Sequence, residues 1–151
     1  MRRVYASTEF VVWCQENELA DSNTFLIAAE GSSYGIVVDP GSEVRLVSEF
    51  LQQAGISKVD VLLTHGHFDH VCGVAEISRL FSTRVFMNPD DEIHLKRNNF
   101  YLKALGEKRS VDTFDYLPFP TNDELLKSVQ VISAPGHTKG GVLFSVAECV
   151  F

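Results

Sequence analysis

The sequence predicts an α/β domain with a mixed sheet, and three observations carry that reading. Short β-like apolar runs alternate with runs whose apolar residues recur at helical spacing. Two of the early runs flank a Gly-Ser loop and read as a hairpin, which puts antiparallel pairing into the sheet. The chain has 151 residues, 45% of them hydrophobic and 22% charged, enough for one domain over 1–151 with a core of its own. There are no internal repeats, low-complexity segments or linkers.

The elements follow in chain order. Residues 24–29 and 34–38 are strands around Glu30-Gly31-Ser32-Ser33, and Asp39-Pro40-Gly41 stops the second. From 43 to 54, Val44, Val47, Phe50, Leu51 and Ala54 fall at helical spacing, with Ser42 as N-cap and Gly55 just past the end. Residues 59–64 form a short, mostly apolar run and predict a buried strand. A second helix is expected over 74–81, burying Ile77, Leu80 and Phe81, followed by a strand at 84–87. Residues 90–96 read as a helix start with acids in its first turn, favourable to the dipole. Residues 98–119 mix aromatics, charges and turn formers and are expected to be an irregular flap. Strands return at 129–133 and 142–146, and 149–151 begins another.

Composition excludes several classes of function. Thirteen Lys plus Arg against twenty Asp plus Glu give a formal charge of −7, which repels nucleic acid and anionic membrane surfaces. No apolar run approaches the roughly 20 residues of a membrane helix. Glu9 interrupts the stretch behind Arg2 and Arg3, so no secretory signal is expected. Cys14, Cys72 and Cys149 are too few and too far apart for a disulfide framework or a cysteine zinc site. A soluble cytoplasmic protein is the default expectation, and the charge balance says nothing about a small substrate.

Chemistry concentrates in two places. Three of the five histidines fall within His65-Gly66-His67-Phe68-Asp69-His70, directly after the strand ending at Thr64. A strand delivers this segment to a loop at the sheet's edge, where His65 and His67 can point the same way. Neutral imidazoles suit Zn²⁺, and Asp69 adds an anionic group that either ligates metal or orients water. Three imidazoles packed without a metal repel when protonated and bring little packing benefit. A fourth histidine lies in Pro135-Gly136-His137-Thr138-Lys139-Gly140-Gly141, after the strand at 129–133. Its glycines let the backbone pass close to something. His65, His67 and His137 together make a three-histidine set with an open fourth position, the pattern of a catalytic zinc.

These two motifs, preceded by Val37-Val38-Asp39-Pro40-Gly41, resemble the metallo-β-lactamase superfamily, and within it the glyoxalase II-like (hydroxyacylglutathione hydrolase-like) hydrolases. The resemblance implies an αββα sandwich and a zinc-dependent thioesterase. It assigns His65, His67 and His137 to a first metal site, and Asp69 and His70 to a second. It casts Asp69 as the catalytic group that holds the attacking hydroxide, and Asp39 as a carboxylate behind the site that orients a ligand. In the family a Gly-Asp pair whose Asp bridges both metals, a later His, and a C-terminal substrate-binding segment follow. None of them falls within residues 1–151, so the resemblance implies a sandwich incomplete at its C-terminus. One tight zinc, a weak second position, low activity of the chain alone and a homo-oligomer built on its exposed sheet edge are the corresponding expectations. Two other readings stay open: an iron-dependent persulfide dioxygenase-like protein, and a non-catalytic zinc-binding domain.

For the remaining polar and aromatic residues the structural reading leads. His94 is expected at the surface, Lys139 in solvent on its loop, and Cys72 in packing. Tyr101, Phe114, Tyr116 and Phe119 form either a lid or a satellite cluster.

Overall fold

The computed structural model describes residues 1–119, 129–146 and 148–151. Among these residues, nine strands lie in two sheets. The first runs β1 (Arg2–Ala6), β2 (Val11–Glu16), β3 (Asn23–Ala28), β4 (Tyr34–Val38), β5 (Lys58–Leu62) and β6 (Ser82–Phe86) in spatial order. Neighbours from β1 to β4 pair antiparallel, while β4–β5 and β5–β6 pair parallel. The sheet is therefore mixed, as expected. The second sheet is the antiparallel set β7 (Gln130–Ser133), β8 (Val142–Val146) and β9 (Cys149–Val150). Among the described residues, four α-helices accompany them: α1 (Val44–Gln53), α2 (Phe68–Val71), α3 (Val74–Leu80) and α4 (Glu92–Ala104).

Side-chain alternation sorts the first sheet's residues between two cores. Leu26, Val37, Val59, Val61 and Val85 face the helices, where they meet Val47, Leu51, Ile77 and Leu102. Val12, Ile27, Ile36, Val38, Leu62 and Phe86 point the other way and pack on Val142, Phe144 and Val146 of the second sheet. A period of two residues gives each strand both faces. The layers are thus helix, sheet, sheet, in agreement with the expected α/β sandwich. Among the described residues, no helix contributes to the core between the sheets.

Several elements depart from the expectations. β1 and β2 were not anticipated; the apolar run Val11-Val12-Trp13-Cys14 pairs along its length with β3. Helix α1 starts at Val44 after Glu43, and Ser42 does not cap it: its hydroxyl accepts from the Leu19 amide and donates to Glu43. The helix does end as expected, with Gly55 in the left-handed region at φ 75°. In α3, Ile77 is buried but Leu80 is half exposed, because it falls on the solvent side of so short a helix. The irregular flap begins later than expected, since α4 continues to Ala104. Beyond it, residues 107–116 carry no regular structure. Phe114 and Tyr116 in this stretch pack on the helix-side core, and Phe119 beyond it packs on the core between the sheets.

Phe144 is fully buried between the sheets, with the Phe119 ring 5.5 Å away at 65°. Phe144→Ala should cost about 3–5 kcal/mol, as aromatic truncation in a packed core does. Denaturant unfolding with an unchanged midpoint would contradict the two-sheet core.

Candidate metal centre

The centre forms where the C-terminal ends of β4 and β5 meet the β7–β8 connection. Asp39, next after β4, sits at φ 51°, a left-handed conformation rare outside glycine. That turn carries its carboxylate across to the β5 end. Oδ1 accepts the Thr64 amide at 2.8 Å, and Oδ2 accepts the Thr64 hydroxyl. The Thr64 carbonyl in turn accepts the amide of Val142, the first residue of β8, at 2.9 Å. One residue therefore joins the first sheet to the second at the point where the histidine segment begins.

His65 and His67 follow, and α2 starts directly after His67, whose backbone is still extended. His137 comes from the β7–β8 loop, which is closed by Ala134–Gly141 and Gly136–Thr138 backbone bonds. One ligand nitrogen from each of His65, His67 and His137 lies within 4.8 Å of the others, an arrangement that could hold a metal ion. His67 Nδ1 and His137 Nε2 are 3.0 Å apart. The rings meet edge to face, at 4.9 Å for His65 with each of the other two.

Asp69 and His70 form a separate pair beside this triad. His70 Nδ1 donates to Asp39 Oδ2 at 2.8 Å, while its Nε2 lies 3.1 Å from Asp69 Oδ2. The Asp39 carboxylate therefore fixes the orientation of the His70 ring. The His70 ring lies 4.1 Å from that of His65, centroid to centroid.

Electrostatics divide the histidines. Burial, reinforced by the neighbouring His70, pushes His65 down to about 4, so it is neutral at neutral pH. Burial and His94 lower His67 in the same sense. His70 behaves oppositely: burial disfavours its charge, but bonds to Asp39 and Asp69 outweigh that and raise it to about 10. Burial also acts against the Asp69 charge, yet the His70 bond holds this carboxyl below its ordinary range. Burial raises the Cys72 thiol to about 11, so it stays protonated and packs against the helix-side core.

Three further residues differ from or extend the sequence reading. His94, expected at the surface, is half-buried with its ring 4.5 Å from that of His67, and its Nδ1 is buried without a hydrogen-bond partner. Asp91 and Asn98, which the sequence reading passed over, are fully buried and hold the Gly66 peptide from both ends. The Gly66 amide donates to Asp91 Oδ2 at 3.1 Å, and Asn98 Nδ2 donates to the Gly66 carbonyl at 2.9 Å. Lys139 is exposed, as expected, and lies 3.0 Å from Asp90.

Among the described residues, two clefts open onto the centre. One, of about 400 Å³, is walled by Phe25, His65, His70, Val142 and Phe151. The other, of about 420 Å³, lies between His67, Asp69 and His137 on one side and Tyr101, Ala104 and Leu105 of the α4 end on the other. Among the described residues, no helix is long and apolar enough to cross a membrane.

Comparison with known proteins places this geometry. A hydroxyacylglutathione hydrolase of Shewanella baltica (strain OS195) is 30% identical over 131 residues, covering 87% of this chain and 46% of that protein. The probable polyketide biosynthesis zinc-dependent hydrolase PksB of Bacillus subtilis (strain 168) is 28% identical over 120 residues, with 80% and 48% covered. The chain thus spans about half the length of the curated relatives it matches. Among solved structures, TTHA1623 in a di-iron-bound form superposes with a TM-score of 0.78 at 27% identity, over 92% of this chain and 70% of that one. The metallo-beta-lactamase superfamily profile matches residues 18–151, nearly the whole chain, and to that superfamily this protein belongs.

Proposed function

We propose that the chain carries the metal centre of a zinc-dependent hydrolase acting on a thioester, with His65, His67 and His137 as the zinc ligands. The observation that carries this reading is the three imidazole nitrogens gathered within 4.8 Å. Their chemistry fits the ion: His65 and His67 are held below their ordinary range, and an imidazole ligates as the neutral base. Held by these three residues, a zinc ion would supply Lewis acidity toward water and a carbonyl. The thioester follows from the likeness to the Shewanella baltica hydroxyacylglutathione hydrolase.

The chain's own residues supply orientation and proton management. Asp69 stays ionised, so its carboxylate can accept a proton of the attacking water and aim the oxygen. His70 fixes that carboxylate from behind and is itself fixed by Asp39. The apolar walls of Tyr101 and Leu105 leave room for the substrate beside His67 and His137. Asp69 and His70 also offer the beginning of a second, weaker metal position.

Iron is the competing metal, favoured by the di-iron-bound form of the related TTHA1623. Elemental analysis of the purified chain distinguishes them. We expect about one zinc per chain, and His67→Ala should weaken its binding at least roughly tenfold. Iron in place of zinc, or unchanged zinc affinity in that variant, would overturn the assignment. Thioester turnover that rises with added zinc, measured with an acylated thiol, tests the reaction itself.

The proton affinities generate a second expectation, for the metal-free chain. His65 titrates near 4 when folded against an ordinary 6.5, so unfolding takes up a proton below about 6.5. Its stabilising contribution is complete above that pH and fades as pH falls through 4. His70, raised to about 10 from 6.5, contributes fully below 6.5 and loses its contribution as pH rises through 10. Denaturation in the presence of a chelator should show stability falling on both sides of neutrality, and His70→Gln should flatten the alkaline limb. An alkaline limb unaltered by that variant would contradict the assignment to His70.

The reading also includes a cytoplasmic setting and self-association through the second sheet, supported by the exposed Ile132, Leu143 and Val150. Light scattering at micromolar concentration should find an oligomer, and a monodisperse monomer would refute this part.

A further inference from the structure

Asp91 is fully buried, and a carboxylate in that position is tolerated only where donors replace its water. Its three donors come from the two segments that carry the histidine triad. The Gly66 amide, between His65 and His67, donates to Oδ2 at 3.1 Å. The hydroxyl of Thr138, next to His137, donates to the same oxygen at 2.8 Å, and the Gly140 amide donates to Oδ1 at 2.7 Å. One side chain thereby ties the β5–α2 segment to the β7–β8 loop.

Two glycines keep this approach possible. A Cβ on Gly140 would lie 2.8 Å from Asp91 Oδ1 and 3.0 Å from its amide nitrogen. A Cβ on Gly66 would lie 2.8 Å from the Asp91 carbonyl oxygen. Asn98, about two turns further along on the same side of α4, donates to the Gly66 carbonyl. The backbone between the first two histidines is consequently fixed at both its amide and its carbonyl, and the third histidine's loop is fixed to the same anchor.

We propose that Asp91 is a positioning residue for the metal centre: it sets the distance of His137 from His65 and His67 through Thr138 and Gly140. It touches neither metal nor substrate. The proposal rests on the metal reading above and adds a residue that acts through the ligands' backbones rather than through their rings. Charge-assisted bonds to a buried carboxylate are short and directional, which suits a spacer between two loops. An amide in its place must turn an N–H toward Gly66 and Thr138 or toward Gly140, so Asp91→Asn loses part of the set in either orientation.

The test is metal titration of the full chain with Zn²⁺ and with Co²⁺, whose visible absorption reports ligand geometry, alongside the melting temperature of the metal-free protein. Thr138→Val keeps the side-chain shape and deletes one bond to Asp91. It should bind zinc roughly 10–100-fold more weakly, as loss of a group supporting a ligand does. Its cobalt spectrum should lose intensity or shift. Thr138→Ser, which restores the hydroxyl, should return both to near the wild type. Asp91→Asn should show the larger loss, and if that variant fails to fold, the Val and Ser pair decides. Wild-type zinc affinity and cobalt spectrum in Thr138→Val, with only the melting temperature lowered, would reduce Asp91 to a fold-stabilising group and overturn the proposal. Failure of the wild-type chain to bind either ion would instead remove the metal reading, and this inference with it.

Discussion

Holding three imidazoles within a few ångströms of one another is the demand around which this chain is arranged. Each ring must be uncharged to tolerate its neighbours, and each must be stopped from turning away toward solvent. Burial and mutual proximity deliver the first condition for His65 and His67. The second falls to backbone, because His67 and His137 are 70 residues apart in sequence and follow strands of different sheets. Side-chain packing alone tolerates shifts larger than a coordination sphere does.

The two sheets are therefore joined at the site by polar contacts of fixed length rather than by apolar surface. Asp39 fastens Thr64, and Thr64 accepts the first amide of β8. Phe144 and its neighbours hold the sheets together in bulk, but a core of Val, Leu and Phe does not specify where along the strands they meet. The left-handed turn at Asp39 is the local cost of this junction. It is placed where the carboxylate reaches both Thr64 and His70, so a single strained residue serves the sheet junction and the Asp69–His70 pair together.

How much of this was legible in the sequence depended on whether the signal was local. His65, His67, Asp69 and His70 sit in one short segment behind a β-rich run, and a strand's end presents such a segment without further information. The same holds for His137 behind its Pro-Gly turn. Helix α4 was read short because it lacks an apolar stripe: within it only Asn98 and Leu102 are buried, while Phe100 points to solvent. β1 went unnoticed because all but one of its residues are exposed, so its pattern does not alternate. Asp91 was invisible for a different reason. Its neighbour Asp90 is the same residue type and is exposed, and nothing in the sequence distinguishes the acid at the helix entrance from the one inside the fold. The glycines at 140 and 141 did announce a close approach, without naming what approached.

The separation of the two histidine segments also sets an order of events during synthesis. Translation at roughly 5–20 residues per second puts about 4–14 seconds between the emergence of His67 and that of His137, 70 residues later. In that interval β1 to β6 and α1 to α4 can assemble on contacts made among themselves. A nascent chain of this kind displays His65 and His67 on a finished sheet while their third companion is still unmade. An ion that arrived early would meet only two of the three imidazoles, so a metal held by all three, as proposed above, would be bound only after β8 has docked.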